Sequence, residues 1–466
     1  MQRRRCFFLA CCFGSVALGG YPVYYLEESK LKKKLIRTFA CVLAFAAVCV
    51  LGAGCAREPK PDDGNKEPNI ADFPLYNADY MSLEYVKETY ESSMTQPYWL
   101  GNVIYNELSL PISYNNGDAY ANLLYTPLKV VSVMDQTLSV TYEEGKDYVV
   151  DKENKRLVIP EGSAIELLSE NAEHGVDIPE GYECSTAPDA VSKYTVWGGQ
   201  PGDASAYVYT ESSLFYGRYL SITYAYDIGE LPEGLFNTYD GTMLMNFRSK
   251  LQAGQDVSVA FIGDSITDGS SSTGDNLHVA PNTPCYAKQV CAEIERIYGV
   301  NVTYTSGAKG GTKSEWPLTG EGSLSLNRVL DAKPDLCVIA YGMNDATAET
   351  PVSAIKYRSN IEEIMLKVRA ANPDCDIILV NSFPCNPLYE KQAGLFDNYG
   401  KKLDELSQKY DDGSVKYINM QTVGKNFLQI KRYCEISSSN VNHPNDFLHR
   451  VYAMNIMTAI CDYKTI

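Results

Sequence analysis

Residues 257–269, VSVAFIGDSITDG, contain the clearest structural signal in the C-terminal half of the chain. Val257 to Ile262 is a short apolar run with β-branched residues, which predicts a buried strand. The run passes directly into Gly263 and small polar residues, which predict a tight turn. A serine at the tip of a strand is well placed as an exposed nucleophile, so Ser265 is a candidate catalytic residue. Gly-Asp-Ser also occurs in ordinary turns, so this stretch alone does not assign the chemistry.

Strand and helix patterns alternate from about Lys250 to the end of the chain. Short apolar runs predict strands, and apolar residues at helical spacing predict helices. This alternation predicts a parallel sheet with helices on both faces, in which ligand sites form at the carboxyl ends of the strands. The predicted strands cover 257–262, 300–304, 336–341, 377–380 and 415–418, and the predicted helices cover 285–298, 354–371, 395–410 and 445–460.

The preceding region, 72–248, has frequent Pro and Gly and little helical periodicity. Leu138, Val140 and Tyr142 alternate with polar residues, which predicts one face of a strand. We therefore expect a β-rich, sandwich-like domain over 72–248, followed by the α/β domain over 249–466. The 35 tyrosines of the chain suit such strands, and they also suit a glycan-binding surface. Further runs predict strands at 148–150, 157–159 and 219–226, the first two as a hairpin.

The N-terminal segment, 1–54, has the pattern of a targeting signal. Its apolar run at 38–51 follows a basic cluster and is too short for a comfortable membrane span. Small residues then precede Cys55, and a Pro-rich, charged tether follows over 55–71, which resembles a bacterial lipoprotein signal. The usual leucine is displaced by one place, to Leu51, and an ordinary signal peptide is the alternative. We expect a lipid-modified Cys55 that holds an exported protein at the cell surface or in the periplasm of a bacterium, or a secreted protein without an anchor.

The composition excludes some classes of function. A chain of 466 residues is long enough for two folded units. The formal net charge of −17 argues against a nucleic-acid surface, because phosphate binding needs clustered Lys and Arg. After Cys55, no cysteine pair has CxxC spacing, and no Gly-rich phosphate loop or His/Cys cluster occurs. We therefore expect no cofactor and no metal.

Three further blocks of polar and small residues follow predicted strands or precede the last predicted helix. Gly307 lies in SGAKGGT after the second strand, where glycine lets a backbone N–H approach a reacting oxygen closely. Asn344 lies in YGMND after the third strand, where its side-chain N–H can donate to an oxyanion. His443 lies in NHPND, just before the final helix.

Taken in order, Ser265, Gly307, Asn344 and His443 resemble the four blocks of the SGNH (GDSL-type) hydrolase family. The resemblance covers about 255–460. It implies a flavodoxin-like, three-layer α/β/α fold and ester hydrolysis through an acyl-enzyme. It also implies an oxyanion hole made by the backbone N–H groups of Ser265 and Gly307 with the Asn344 side chain, and His443 as the base.

The sequence departs from the family pattern beside the base. The place three residues before His443, where the family commonly has Asp, holds Asn440. An Asn carbonyl can orient an imidazole but cannot neutralise the imidazolium that forms during the reaction. A Ser–His dyad, a substitute acid from Glu435 or Asp446, and an impaired enzyme all remain open. His449 is the rival base, because it forms a literal D-x-x-H with Asp446.

These observations predict an extracellular serine esterase. Members of the family that join a β-sandwich to the hydrolase domain and carry lipoprotein signals often deacetylate plant glycans, so the resemblance implies a carbohydrate acetylesterase. Lipid and other acyl esters remain possible substrates. The alternative from a different class is a glycan-binding surface lipoprotein whose hydrolase domain is inactive, a hypothesis that rests on Asn440.

Overall fold

A computed structural model gives the structure of most of the chain after residue 94, and the described residues belong to one compact unit. The predicted targeting segment 1–54 and the tether 55–71, with Cys55, lie outside them. Within the described ranges, no helix is both long and apolar enough to cross a bilayer. The described residues are 95–186, 192–347, 349–389 and 394–465.

The first part of the described chain is rich in β-structure, as predicted. Its strands form three sheets with the orders β1-β11-β4, β5-β6-β3-β2-β7 and β10-β9-β8. The strands are β1 (Val103–Ser109), β2 (Ile112–Ser113), β3 (Ala119–Asn122), β4 (Pro127–Asp135), β5 (Val149–Asp151), β6 (Arg156–Val158), β7 (Leu168–Ser169), β8 (Glu183–Cys184), β9 (Lys193–Trp197), β10 (Tyr207–Thr210) and β11 (Leu220–Tyr226), with helix α1 (Ser213–Tyr216) before the last.

Sequence patterns predicted some of these strands correctly and one of them wrongly. The hairpin is confirmed, because β5 and β6 pair antiparallel, and the strand predicted at 219–226 is β11. The strand predicted from Leu138, Val140 and Tyr142 is wrong, since β4 ends at Asp135 and the chain turns there. The Asp135 carboxylate accepts hydrogen bonds from the backbone N–H of Val140 at 2.6 Å, and Leu138 has a φ of 60°. A side-chain acceptor that captures nearby backbone donors favours a turn over a strand.

The second part alternates strand and helix and forms the predicted parallel sheet. All four neighbouring strand pairs are parallel, in the order β13-β12-β14-β15-β16, which is the flavodoxin-like order. Helices α4 and α10 pack together, as do α5, α7 and α8, and the two groups make the outer layers. The elements are α2 (Met245–Gln252), β12 (Val257–Gly263), α3 (Ser265–Asp268), α4 (Tyr286–Tyr298), β13 (Val302–Ser306), α5 (Gly322–Ala332), β14 (Leu336–Ala340), α6 (Met343–Thr347), α7 (Ala354–Ala371), β15 (Asp376–Val380), α8 (Gly394–Lys409), β16 (Val415–Ile418), α9 (Met420–Phe427) and α10 (Asp446–Ile460).

The two parts pack against each other through helix α10. All fifteen residues of α10 are buried, because α4 packs on it from one side and β1 from another. Arg450 on α10 is fully buried, and its guanidinium donates hydrogen bonds of 2.7 Å to the carbonyls of Tyr105 and Asn106 in β1. A buried cation needs such partners, so this contact ties the β-rich part to the α/β part.

A buried ion pair joins the same two parts. The ammonium of Lys431 lies 2.6 Å from a carboxylate oxygen of Glu107, and both side chains are buried. The hydroxyl of Tyr224 donates to the other oxygen of that carboxylate at 2.6 Å. Removing one partner would leave a buried charge unpaired, which is strongly destabilising.

Candidate active site

The turn that follows β12 holds Ser265 at the carboxyl end of the central part of the sheet. Gly263 makes the turn possible, because a Cβ there would lie 2.1 Å from the Thr267 hydroxyl and 2.5 Å from the Ala340 carbonyl oxygen. The Asp264 carboxylate then accepts a 3.1 Å hydrogen bond from the Ile266 N–H and caps α3. Ser265 therefore starts a helix, with its backbone N–H among the donors that the helix itself leaves unpaired.

The base predicted for Ser265 lies beside it. His443 Nε2 is 3.0 Å from Ser265 Oγ, although 178 residues separate them along the chain. The loop that carries the histidine is fixed by two serines: Ser439 Oγ accepts from the His443 N–H at 3.1 Å, and Ser437 Oγ donates to its carbonyl at 2.7 Å. The imidazole is therefore placed to take the proton of the serine hydroxyl.

The partner of the other imidazole nitrogen is Glu211, which sequence analysis did not single out. Its Oε1 lies 2.7 Å from His443 Nδ1, and this completes a Ser–His–Glu chain of hydrogen bonds. Glu211 follows β10, in the β-rich part of the chain, 232 residues before the histidine. No local pattern marks Glu211, and the only signal in the sequence was the missing aspartate before His443.

The carboxylate and the imidazole stabilise each other's charge. Burial by itself would raise the pKa of Glu211. The positive charge of His443 and hydrogen bonds with His443, Ser271 and Tyr209 outweigh burial and lower that pKa. Burial likewise opposes ionisation of His443, but the Glu211 charge and hydrogen bond raise its pKa above the usual 6.5, with a smaller contribution from Asp264. Because an ionised carboxylate only accepts hydrogen bonds, Nδ1 carries the proton and Nε2 is free to accept one from Ser265.

Asn440, which the sequence offers as a residue that could orient the imidazole, does not do so. Its side-chain N–H donates to the Val208 carbonyl at 3.1 Å, and the residue adopts a left-handed conformation with a φ of 57°. This conformation turns the side chain toward β10. The place at Nδ1 that the aspartate of the family pattern would fill is taken by Glu211.

The two alternative acids, Glu435 and Asp446, and the alternative base, His449, make contacts elsewhere in the protein. Glu435 is buried and accepts from Ser109 Oγ at 3.2 Å, on the β-rich side. Asp446 accepts from the Thr273 N–H and hydroxyl at 2.9 and 2.6 Å, and burial raises its pKa to about 6. His449 bonds through Nε2 to the Ser270 carbonyl, and burial lowers its pKa to about 4. Within the described residues, none of the three is hydrogen-bonded to Ser265 or to His443.

The glycine beside Ser265 is Gly310, three residues after Gly307, which was the predicted oxyanion donor. The backbone N–H of Gly307 donates to the Phe261 carbonyl at 2.7 Å, so the sheet already uses it. A Cβ at Gly310 would lie 3.7 Å from the Cβ of Ser265, which places Gly310 beside the nucleophile. Within the described chain, the N–H groups of Ser265 and Gly310 have no hydrogen-bond partner and are available to an oxyanion.

Asn344 lies on α6, after the third strand of the sheet. Its side-chain N–H donates to the Thr312 carbonyl at 3.1 Å, in the loop that also carries Gly310. This bond orients the amide and leaves its second N–H free of any intramolecular partner in the described residues. The next residue, Asp345, is buried and accepts from the Ser314 N–H and hydroxyl, which fixes the same loop.

No metal site is formed by the described residues, among which no group of three His, Cys, Asp or Glu side chains could hold a cation. The two other histidines bond to backbone carbonyls, His174 to Ala206 at 2.6 Å and His278 to Gly274 at 3.1 Å. The eight cysteines of the described chain form no disulfide with one another.

Part of the chain is similar to known proteins. Residues 261–451 match the model of the GDSL-like lipase/acylhydrolase family. A comparison with curated proteins gave no match. Similar solved structures include the acetylxylan esterase Axe2 from Geobacillus stearothermophilus, with 18% identity over 44% of this chain and 94% of that chain and a TM-score of 0.36. Another is the acetyl xylan esterase AlAXEase, with 20% identity over 44% of this chain and 100% of that chain and a TM-score of 0.35.

The matched segment contains both Ser265 and His443, together with the loop of Gly310 and with Asn344. Glu211 lies outside it, in the β-rich part. The family is one of carboxylic ester hydrolases. This chain therefore carries, over residues 261–451, a hydrolase domain of the GDSL-like lipase/acylhydrolase family.

Proposed function

We propose that this protein is a serine esterase that removes acetyl groups from carbohydrates, with Ser265 as nucleophile, His443 as base and Glu211 as the residue that positions the base. The observation that carries the proposal is the continuous chain from Glu211 through His443 to Ser265, with contacts of 2.7 and 3.0 Å. Three groups in this order activate a hydroxyl that is otherwise a weak nucleophile.

The geometry supports an acyl-enzyme route. Ser265 Oγ attacks the carbonyl carbon of the ester while its proton passes to His443 Nε2, and the carbonyl oxygen becomes an oxyanion. The N–H groups of Ser265, Gly310 and Asn344 donate to that oxygen. The imidazolium then gives its proton to the leaving alcohol as the C–O bond breaks. Water repeats the attack on the acyl-serine, which releases the carboxylic acid and restores the serine.

A small acyl group fits the surroundings of the nucleophile. Ser265 is only 5% exposed, and a Cβ at Gly310 would lie 3.7 Å from the Cβ of Ser265. The partly exposed aromatic residues near Glu211 suit a sugar as the alcohol part of the ester. An inactive hydrolase domain is no longer favoured, because it rested on Asn440 and Glu211 occupies the place of the missing acid.

The test is acetate release by the purified protein from p-nitrophenyl acetate and from acetylated xylan, beside a Ser265→Ala variant. We expect release from both substrates by the wild type and none by the variant. If a folded wild-type protein releases no more acetate than the variant, the esterase proposal is wrong. Covalent labelling by a fluorophosphonate probe, present in the wild type and absent in the variant, checks the nucleophile independently.

We further propose that the protein is exported and anchored by a lipid on Cys55. The small residues before Cys55 and the polar tether after it support this, and the segment lies outside the described residues. Metabolic labelling with a fatty-acid analogue should mark the wild type but not a Cys55→Ser variant. Equal labelling of both would contradict the anchor, and a protein recovered from the cytoplasm would contradict export.

A further inference from the structure

Four aromatic residues form one cluster beside the catalytic groups, which we call the aromatic platform: Trp197, Tyr207, Tyr209 and Tyr389. Strands β9 and β10 are antiparallel, and Trp197 lies opposite Tyr207. Tyr207 and Tyr209 are two residues apart on β10, so they lie on one face of the hairpin. Tyr389, from the segment after β15, completes the cluster.

Packing within the platform holds an exposed ring in place. Trp197 stacks on Tyr209, with ring centroids 4.7 Å apart and planes 23° apart. Tyr207 is 5% exposed and packs edge-on against both Trp197 and Tyr389, at 6.1 and 6.2 Å. Trp197 itself remains 36% exposed. A large apolar side chain that is fixed in a rigid position and still faces solvent suits a binding surface.

The platform contacts the proposed active site at both of its ends. The Tyr209 hydroxyl donates to Glu211 Oε1 at 3.2 Å, on the carboxylate that holds His443. At the other end, the Tyr389 hydroxyl donates to the Thr347 carbonyl at 3.3 Å, on the short helix that carries Asn344. The rings therefore flank the side of the site that lies between the positioning carboxylate and the proposed oxyanion donor.

We propose that the aromatic platform is a sugar-binding subsite on which a pyranose ring of the acylated glycan stacks, chiefly against Trp197. The proposal rests on the esterase function and names the alcohol part of its substrate. The C–H groups on one face of a pyranose carry small positive charges, and the face of an aromatic ring is negative. The tyrosine hydroxyls at the margins give the sugar hydroxyls polar neighbours.

The shape of the platform favours a sugar over a fatty acyl chain. An alkyl chain gains most when an apolar channel encloses it and removes its whole surface from water. Trp197 stacks on Tyr209 and is still 36% exposed, so its remaining surface can cover one side of a ring while the hydroxyls on the edge of that ring stay solvated. The subsite is contributed largely by the β-rich part, which would then take part in substrate selection as well as in positioning His443.

The test compares two substrates in one set of variants. p-Nitrophenyl acetate contains no sugar, whereas an acetylated xylo-oligosaccharide presents pyranose rings. We expect Trp197→Ala to lower the ratio of kcat/KM for the oligosaccharide to kcat/KM for p-nitrophenyl acetate by about fivefold, since one aromatic stacking contact contributes about 1 kcal/mol. Trp197→Phe should lose less of this ratio, because it keeps an aromatic face.

Leu366→Ala is the matched control, since Leu366 is an exposed apolar side chain on α7, outside the platform. It should leave the ratio unchanged, and melting temperatures of all variants check that they fold. A wild-type ratio in a folded Trp197→Ala protein would overturn the subsite. A wild type inactive on both substrates would instead contradict the esterase function.

In that case calorimetric titration tests the subsite alone. Unacetylated xylohexaose is added to Ser265→Ala and to Ser265→Ala combined with Trp197→Ala. Saturable binding by the first protein and its loss in the second support the subsite. Binding by neither protein, or equally by both, overturns it.

Discussion

Replacing Glu211 by Gln tests the assignment on which the proposed mechanism depends. The substitution keeps the length and shape of the side chain, removes its charge and replaces one acceptor oxygen with an N–H donor group. The Glu211 carboxylate lies 2.7 Å from His443 Nδ1, with side-chain exposures of 19% and 13%. The charge is thus shielded from much of the solvent at the moment the imidazolium forms.

The expected loss follows from the Coulomb energy and from the tautomer. Charges about 4 Å apart interact by about 4 kcal/mol at an effective dielectric constant of about 20. At about 1.4 kcal/mol for each factor of ten, this is about a thousandfold in rate. Gln can also donate to Nδ1 and so favour the wrong tautomer, and the equivalent change in a serine protease costs about 10⁴. We expect Glu211→Gln to lower kcat/KM by about 10³- to 10⁴-fold.

The pH profile separates this role from a purely structural one. His443 acts as a base only when it is unprotonated, so kcat/KM falls as the pH decreases through its pKa. In the wild type that pKa is raised, and the acidic limb should lie above pH 6.5. In Glu211→Gln the charge that raises the pKa is gone while burial, which lowers it, remains. The acidic limb should therefore move to lower pH.

The assay is hydrolysis of p-nitrophenyl acetate from pH 5 to 9 by the wild type, Glu211→Gln and Glu211→Asp. The aspartate variant keeps the charge on a shorter side chain and should recover part of the rate. A Glu211→Gln enzyme within tenfold of the wild type, with an unshifted acidic limb, would refute the assignment. Circular dichroism and melting temperatures show whether a loss comes from unfolding.

Three other substitutions have distinct expected outcomes. Asn440→Asp should not raise kcat/KM, because the imidazole already has its carboxylate. The substitution should lower the free energy of unfolding by about 1–3 kcal/mol, because it removes the donor to the Val208 carbonyl. A rate gain of orders of magnitude would contradict the structure. Asn344→Ala should lower kcat by about 10²- to 10³-fold with little change in KM, as expected for an oxyanion donor, and a kcat within threefold of the wild type would argue against that role. Gly307→Ala should lower the melting temperature, because a Cβ there would lie 2.9 Å from a methyl group of Val329. The value of kcat/KM per folded molecule should stay within a factor of about three of the wild type. A selective loss of kcat without loss of stability would indicate that Gly307 belongs to the oxyanion hole.

Much of the α/β domain could be predicted from the sequence because its signals are local. The helix predicted at 354–371 and the strand predicted at 415–418 have the bounds found in the structure. Apolar periodicity and the breaks at Pro and Gly act within a few residues of each element. The same local logic failed at 138–142, where one aspartate side chain captured the backbone donors.

Within the candidate site, the sequence by itself singled out Ser265, Asn344 and His443, since each follows or precedes an element whose end is marked in the chain. The choice of Gly310 over Gly307 as the candidate oxyanion donor depends on which N–H groups are already bonded within the parallel sheet. Those groups are known only from the register of β12 and β13. The register was not visible from the glycine motif alone.

Only the tertiary structure assigned Glu211. It comes to His443 because Arg450, the Lys431–Glu107 pair and α10 hold the β-rich part against the α/β part. The residues that make these contacts are far apart in the sequence, and each contact forms only when both partners are brought together by folding. Local patterns in the sequence indicated the order of the elements in the α/β part and the candidate nucleophile. Packing between the two parts decided the positioning acid and the aromatic platform, because a contact across 232 residues has no local signature.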